Sequence, residues 1–300
     1  MKQLYAATLF NLIACTILIG SFAGCSVLDP AEDIPSYIHI DKITLNALAN
    51  QGTSRATITE AWIFMDGKLL GGFELPCTVP ILADGTHSFT IRGGVRMNGL
   101  SSTRAIYPSW KAWESSVTLM RGQKTIVAPV VTYFPDWDFS NTTWLLDFDG
   151  SGTSFISDPT SQAIIIRDSI PWAYEGPYSA KIHLNNTDTT VFIGVSASQY
   201  YMPTTKDTWL EFDYKSDCEF TVGIEDPATP PNNRYRVPWL LVQPNGNWKK
   251  IYVRLTDALA EASQLNANPS FTPYKIYFAM VNPSTQAEST LYIDNIKLLK

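Results

Sequence analysis

The sequence predicts an all-β protein of two sandwich modules behind an amino-terminal leader. Three observations carry that prediction. Short runs alternate apolar and polar residues, the period of a half-buried strand. Turn pairs such as Asp66-Gly67, Asp84-Gly85 and Asn98-Gly99 separate them. A helical pattern appears only over Thr256 to Leu265, and it is short.

Composition agrees. The chain has 300 residues, 17% charged and 12% aromatic, which suits compact β modules and not a disordered chain. Its length beyond the leader suffices for two ordinary domains. A net charge of −6, with Lys and Arg scattered mostly singly, argues against a nucleic-acid partner. The four cysteines, Cys15, Cys25, Cys77 and Cys218, give no disulfide framework or thiolate metal cluster. His39, His87 and His183 match no ligand spacing.

The leader comes first. Lys2 is its positive start, Leu4 to Ile19 its apolar middle, and small residues lead to Phe22-Ala23-Gly24-Cys25. That layout is a secretory signal. The cysteine directly after Ala23-Gly24 makes it resemble a bacterial lipoprotein signal, although Phe22 stands where that family usually has Leu. The resemblance implies cleavage before Cys25, acylation of its thiol with palmitate among the chains, and attachment to the outer membrane on its periplasmic or surface face. Leu4 to Ala23 also approaches the roughly 20 apolar residues of an uncleaved span. Residues 25–36 read as an acidic, proline-containing tether. Asp29, Glu32 and Asp33 loosely resemble the export signal of Bacteroidetes-type surface lipoproteins; a plain spacer is the other reading.

The first module is expected over residues 37–135. Tyr37 to Leu45 alternates; Ala56 to Met65 turns at Asp66-Gly67 into Lys68 to Leu75, with Gly71-Gly72 as a bulge. Thr86 to Ile91 follows Asp84-Gly85, with Gly93-Gly94 a further turn. Ser115 to Met120 and Lys124 to Val131 make a last pair. Ile81 to Ile91 resembles part of small immunoglobulin-like or transthyretin-like modules of bacterial surfaces. Tyr107, Trp110 and Trp113 sit in a loop-like stretch, either as an exposed patch or folded back onto the sandwich. Residues 136–143 read as a linker.

The second module is expected over residues 144–300. Strands are expected over Trp144–Phe148, Ala163–Arg167, Gly176–Leu184, Thr190–Val195, Trp209–Ser216, Glu219–Ile224, Trp239–Val242, Trp248–Leu255, Tyr274–Val281 and Thr290–Leu299. In Trp209–Ser216, Leu210, Phe212 and Tyr214 form the apolar face, and Trp209, Glu211, Asp213 and Lys215 the other. Four pieces occur in the order of a known family: Glu175 to Ile182, Trp209 to Ser216, Trp248 to Leu255 and Leu291 to Leu298. Together they resemble a galactose-binding-like jelly roll of the carbohydrate-binding-module kind.

That resemblance implies two sites. A structural calcium would use Asp147 or Asp149 together with Asp294, a departure from the glutamate usual on the family's first strand. A glycan platform would draw on aromatics in loop-like or edge segments: Trp172, Tyr174, Tyr200, Tyr201, Tyr235 and Trp239, with Arg234, Arg236 and Glu225 near the last two in sequence. Sugar C–H faces pack on aromatic rings while hydroxyls need polar partners. The resemblance places Trp248 in the core. No Gly-x-Ser-x-Gly, His-Glu-x-x-His or phosphate-binding Gly loop appears, and no motif fixes a carboxylate pair. The sequence therefore predicts a non-catalytic, membrane-anchored lipoprotein that binds a polysaccharide. Its rival is an assembly protein whose modules bind envelope proteins.

Overall fold

A computed structural model describes residues 32–135, 145–150, 154–169, 174–187, 189–203, 207–226, 235–265 and 273–300, without the side chains of Tyr235 and Leu265. The leader, Cys25, the 136–143 linker, Trp172 and Arg234 lie outside the described residues.

The first strands are β1 (Ser36–Ile40), β2 (Thr44–Leu45), β3 (Glu60–Met65), β4 (Lys68–Glu74), β5 (Cys77–Ile81), β6 (Gly85–Arg96), β7 (Arg104–Ile106), β8 (Trp110–Lys111), β9 (Trp113–Leu119), β10 (Lys124–Ile126) and β11 (Val130–Tyr133). There follow β12 (Leu145–Leu146), β13 (Phe155–Ser157), β14 (Ile166–Ser169), β15 (Tyr178–Asn185), β16 (Val191–Ser196), β17 (Trp209–Ser216), β18 (Phe220–Asp226), β19 (Tyr235–Val242), β20 (Asn245–Arg254), α1 (Thr256–Leu265), β21 (Lys275–Val281) and β22 (Glu288–Leu299).

Contacts divide the chain into two compact units. Among the described residues, the smaller holds 32–39, 78–86 and 118–125. Within it Ser36 Oγ donates to the Ala83 carbonyl at 2.7 Å, and the Tyr37 amide donates to the Gln123 carbonyl at 2.9 Å. Arg121 meets Asp84 at 3.2 Å and Asp33 at 3.7 Å.

The larger unit comprises residues 40–77, 87–117 and 126–300. One of its sheets runs β4-β3-β6-β7, with β9 paired to β6; another runs β2-β11-β8. The Asp66-Gly67 turn forms as expected, both residues at positive φ (50° and 79°), the geometry of a type I′ hairpin. The bulge lies beside Gly71, where Ile63 pairs with Gly71 and Phe64 with Leu69. Two expectations are corrected. Gly93 and Gly94 lie inside β6 and make no turn; a Cβ on either would strike Trp110 or Trp62, so glycine lets the indoles lie against the strand. The last two strands do not pair with each other: β9 joins β6, while β10 joins β1.

The remainder is a jelly roll. One sheet has the order β14-β15-β22-β17-β20, with β12 on β22; the other has β13-β16-β21-β18-β19. From β15 onward successive strands alternate between the two sheets, except that β18 and β19 are neighbours in the second, the wrapped arrangement of a jelly roll. Its core joins Ile182, Leu210, Phe212 and Ile293 of the first sheet to Val222, Ile224 and Phe278 of the second. Phe212 meets Phe278 edge-on at 5.2 Å, and Phe155 meets Phe278 at 5.3 Å. β13 is a strand that the sequence pattern did not reveal. Helix α1 spans the predicted residues, and Ala258, Leu259 and Ala262 face the same core. Among the described residues no helix is long and apolar enough to cross a membrane.

Candidate functional site

The geometry of the site begins with the polar face of β17. Its alternation predicts a solvent-facing side, yet Trp209 is 2% exposed and Glu211 and Asp213 are fully buried. Aromatic residues of the 107–133 stretch cover them within the larger unit. The Tyr107 hydroxyl donates to Glu211 at 2.6 Å and that of Tyr133 at 3.1 Å. The Tyr107 ring lies 5.1 Å from Trp209 and 5.0 Å from Tyr252, edge to face in both cases. Burial pushes the hydroxyls of Tyr107, Tyr133 and Tyr252 well above the usual tyrosine range, and the charge of Glu211 adds to it. Lys250 Nζ sits 3.3 Å from Asp213 and 3.9 Å from Glu211. Lys297 Nζ donates to the Thr53 carbonyl at 2.9 Å and to the Tyr133 hydroxyl at 3.1 Å. Burial lowers that ammonium to about 8, against the pull of Glu211. Removing one partner from such a buried charged set costs about 3–5 kcal/mol, because the other is left uncompensated.

Beside this network opens a cleft of about 500 Å³, lined by Lys42, Arg55, Thr57, Tyr174, Asp213 and Lys250 among others. Strand β2 and residues 54–58 line it on the amino-terminal side of the sequence; β17 and β20 supply Asp213 and Lys250. Tyr174 stacks on Trp248 at 5.0 Å with 25° between the planes, and the Arg55 guanidinium sits 4.3 Å from the Tyr174 ring. Trp248 in turn lies 6.2 Å from Tyr292, which has Lys181 Nζ at 5.8 Å. Asp213 Oδ2 accepts from Lys250 and from Asn295 at 3.1 Å, but its buried Oδ1 accepts no hydrogen bond. Burial raises the Asp213 carboxyl above the usual range, while Lys250 opposes the shift. The cleft thus offers aromatic surface, fixed cations and a buried carboxylate oxygen without a hydrogen-bond partner.

Trp248 corrects an expectation. It is half-buried and lies outside the jelly-roll core, with Tyr174 stacked on it. Family resemblance pointed inward; the only sequence signal for the outward position is the alternation with Lys250 and Tyr252 on the same face of β20.

The structure parts the predicted platform residues. Tyr174 lines the cleft. Tyr200 is 7% exposed in the jelly-roll core, and burial pushes its hydroxyl up to about 12. Trp239 packs against that core and donates from Nε1 to the Arg254 carbonyl at 2.7 Å. Tyr201 is exposed, its carbonyl accepting from Lys300 at 2.9 Å. Arg236 meets Glu225 at 2.7 Å and Asp158 at 2.8 Å, with its guanidinium 5.7 Å from the Tyr277 ring. Tyr235 opens β19.

The three predicted calcium ligands sit near a second cleft of about 300 Å³ that Asp147, Asp149, Glu175 and Asn295 line. Asp147 accepts from the Asp149 amide at 3.1 Å. Asp149 accepts from the Tyr178 amide at 3.2 Å and lies against Gly176, where a Cβ would strike its carboxylate and φ is +69°. Arg167 donates to the carbonyls of Phe148 at 2.8 Å and Asp149 at 3.1 Å. Asp294 is buried and accepts from the Asn295 amide at 2.8 Å. Burial pushes its carboxyl up to about 8, with Asp213 and Asp149 adding to the shift. Among the described residues no group of three His, Cys, Asp or Glu is placed to hold an ion. As placed, Asp147 and Asp149 accept from backbone amides, and the Arg167 guanidinium occupies the neighbouring carbonyls.

A third opening, of about 480 Å³, is mainly apolar, with Phe220, Leu241, Pro244, Ala279 and Val281 in its lining. Leu241 and Val281 are 53% and 61% exposed.

No family model and no curated protein match the chain. Several solved structures do. The xylan-binding domain of carbohydrate-binding module family 22 shares 14% identity over 52% of this chain and 92% of its own, with a TM-score of 0.35. A family 11 module from Clostridium thermocellum, solved with a β-1,3-1,4-mixed-linked tetrasaccharide, shares 16% over 52% and 94%, also at 0.35. The K2 cleaved adhesin domain of Lys-gingipain shares 11% over 52% and 98%, again at 0.35.

Proposed function

We propose that this protein binds carbohydrate, without catalysis, in the cleft beside Tyr174 and Trp248, and that a lipid on Cys25 holds it to the outer membrane. One observation carries the binding reading. A partly exposed aromatic stack adjoins a buried carboxylate oxygen that accepts no hydrogen bond. Rings supply surface for sugar C–H faces, and an unsatisfied buried acceptor gains when a hydroxyl donates to it. The non-catalytic reading rests on the sequence, in which no motif fixes a carboxylate pair of the kind glycoside hydrolysis needs.

Trp248→Ala and Tyr174→Ala test the binding reading in a glycan-array screen followed by calorimetry. Each is expected to weaken binding about tenfold or more, the effect of losing roughly 1.4 kcal/mol, while thermal unfolding stays cooperative. Unchanged affinity in both variants sinks the cleft as the site. For the anchor, labelled palmitate is expected in the membrane-bound protein and absent from Cys25→Ala; equal labelling of the variant removes the lipoprotein reading. A second function, contact with an envelope protein, draws support from the apolar opening around Leu241 and Val281.

A further inference from the structure

The charges of the cleft narrow the class of glycan. The whole chain carries −6, yet the charged residues lining this cleft are Lys42, Arg55 and Lys250 against Asp213 alone. The negative member is fully buried and already held by Lys250 at 3.3 Å and by Asn295. The two cations that face solvent are different. Lys42 is exposed and makes no ion pair among the described residues. The Arg55 side chain is 49% exposed, and Glu175 lies 3.5 Å from its Nε, with Asp213 a further acid in its surroundings. Glu175 Oε2 also accepts from Thr53 at 2.6 Å and from Asn295 at 3.4 Å, so Arg55 shares that oxygen with two other donors. Packing over the Tyr174 ring fixes the plane of the guanidinium. A planar fork held in place is suited to a carboxylate, which it meets with two parallel hydrogen bonds.

We propose that the cleft takes a glycan bearing carboxylates, a polyuronate. The sugar ring packs on the exposed part of the Tyr174–Trp248 stack, Arg55 and Lys42 receive the carboxylate, and a hydroxyl donates to Asp213 Oδ1. The inference rests on the carbohydrate reading above and adds a charge to the ligand. It also assigns residues 42 and 55, outside the jelly roll, as determinants of specificity.

The test compares polygalacturonate with its carboxyl-reduced form and with a neutral galactan, using the full protein. The expected result is at least tenfold tighter binding to polygalacturonate, weakening as salt rises from 50 to 500 mM. Arg55→Gln combined with Lys42→Gln is expected to erase the preference while the melting curve is kept. Equal or tighter binding to the reduced polymer overturns the polyuronate proposal and leaves the carbohydrate reading standing. So does a preference that survives the double substitution, since the charge is then read elsewhere. Binding to none of the three polymers overturns the proposal; only a failure across a broad neutral array reaches the carbohydrate reading as well.

Discussion

Asp294 shows how one buried carboxyl sets a pH dependence. Its folded pKa is raised from 3.8 to about 8, chiefly by burial. The folded chain therefore holds a proton that the unfolded chain has released anywhere between those values. The stabilisation is full below about pH 4 and is lost as pH rises through 8, at up to about 1.4 kcal/mol per pH unit. Lys297 works the other way in a separate window: its folded value is lowered to about 8, so its contribution improves as pH climbs from 8 toward 10.5. Asp294→Asn keeps an acceptor for the Asn295 amide and removes the titration. The variant is expected to melt several degrees above the parent at pH 8 and no higher than it at pH 4.5. A parallel pair of Tm-versus-pH curves contradicts a carboxyl that holds its proton.

Elements were legible where apolar and polar residues alternate or a turn pair closes a hairpin. The alternation in β17 and the turn at Asp66-Gly67 are of this kind, because period and turn chemistry are local properties. Glycine pairs were ambiguous. Asp66-Gly67 turns the chain, whereas Gly93-Gly94 runs straight through β6 to admit Trp62 and Trp110. The difference lies in which side chains arrive from elsewhere, which no window of sequence contains. β13 has three residues, too few for a period to show. Within the site, Tyr174 was legible as an aromatic near a turn glycine. Trp248 was not, since a tryptophan opening a strand reads equally well as core or surface.

At the scale of the molecule, the wall of the cleft distinguishes two views of this protein. If the jelly roll bound its ligand alone, residues before 136 would serve as a spacer. In the structure, Lys42, Arg55 and Thr57 line the same cleft as Tyr174 and Asp213, all within one compact unit. Residues 144–300 retain their own aromatic core. Expressed alone they are expected to unfold cooperatively, to show red-shifted tryptophan emission as Trp209 loses the Tyr107 ring, and to bind glycan at least tenfold more weakly than the full chain. Full affinity in the isolated piece assigns binding to the jelly roll by itself.

The sequence alone determined the all-β class, the order of most strands, the helix over Thr256–Leu265 and the resemblance to a jelly roll. Each follows from short-range periodicity and turn chemistry, which neighbouring residues dictate. Only the tertiary structure decided that Glu211, Asp213, Lys250 and Lys297 are buried as a charged network, that Tyr200 is core while Trp248 is not, and that residue 55 lies over residue 174. Those outcomes depend on which distant surface covers a strand's second face. An alternating pattern records that such a face is polar, and is silent on whether water or another part of the chain lies against it.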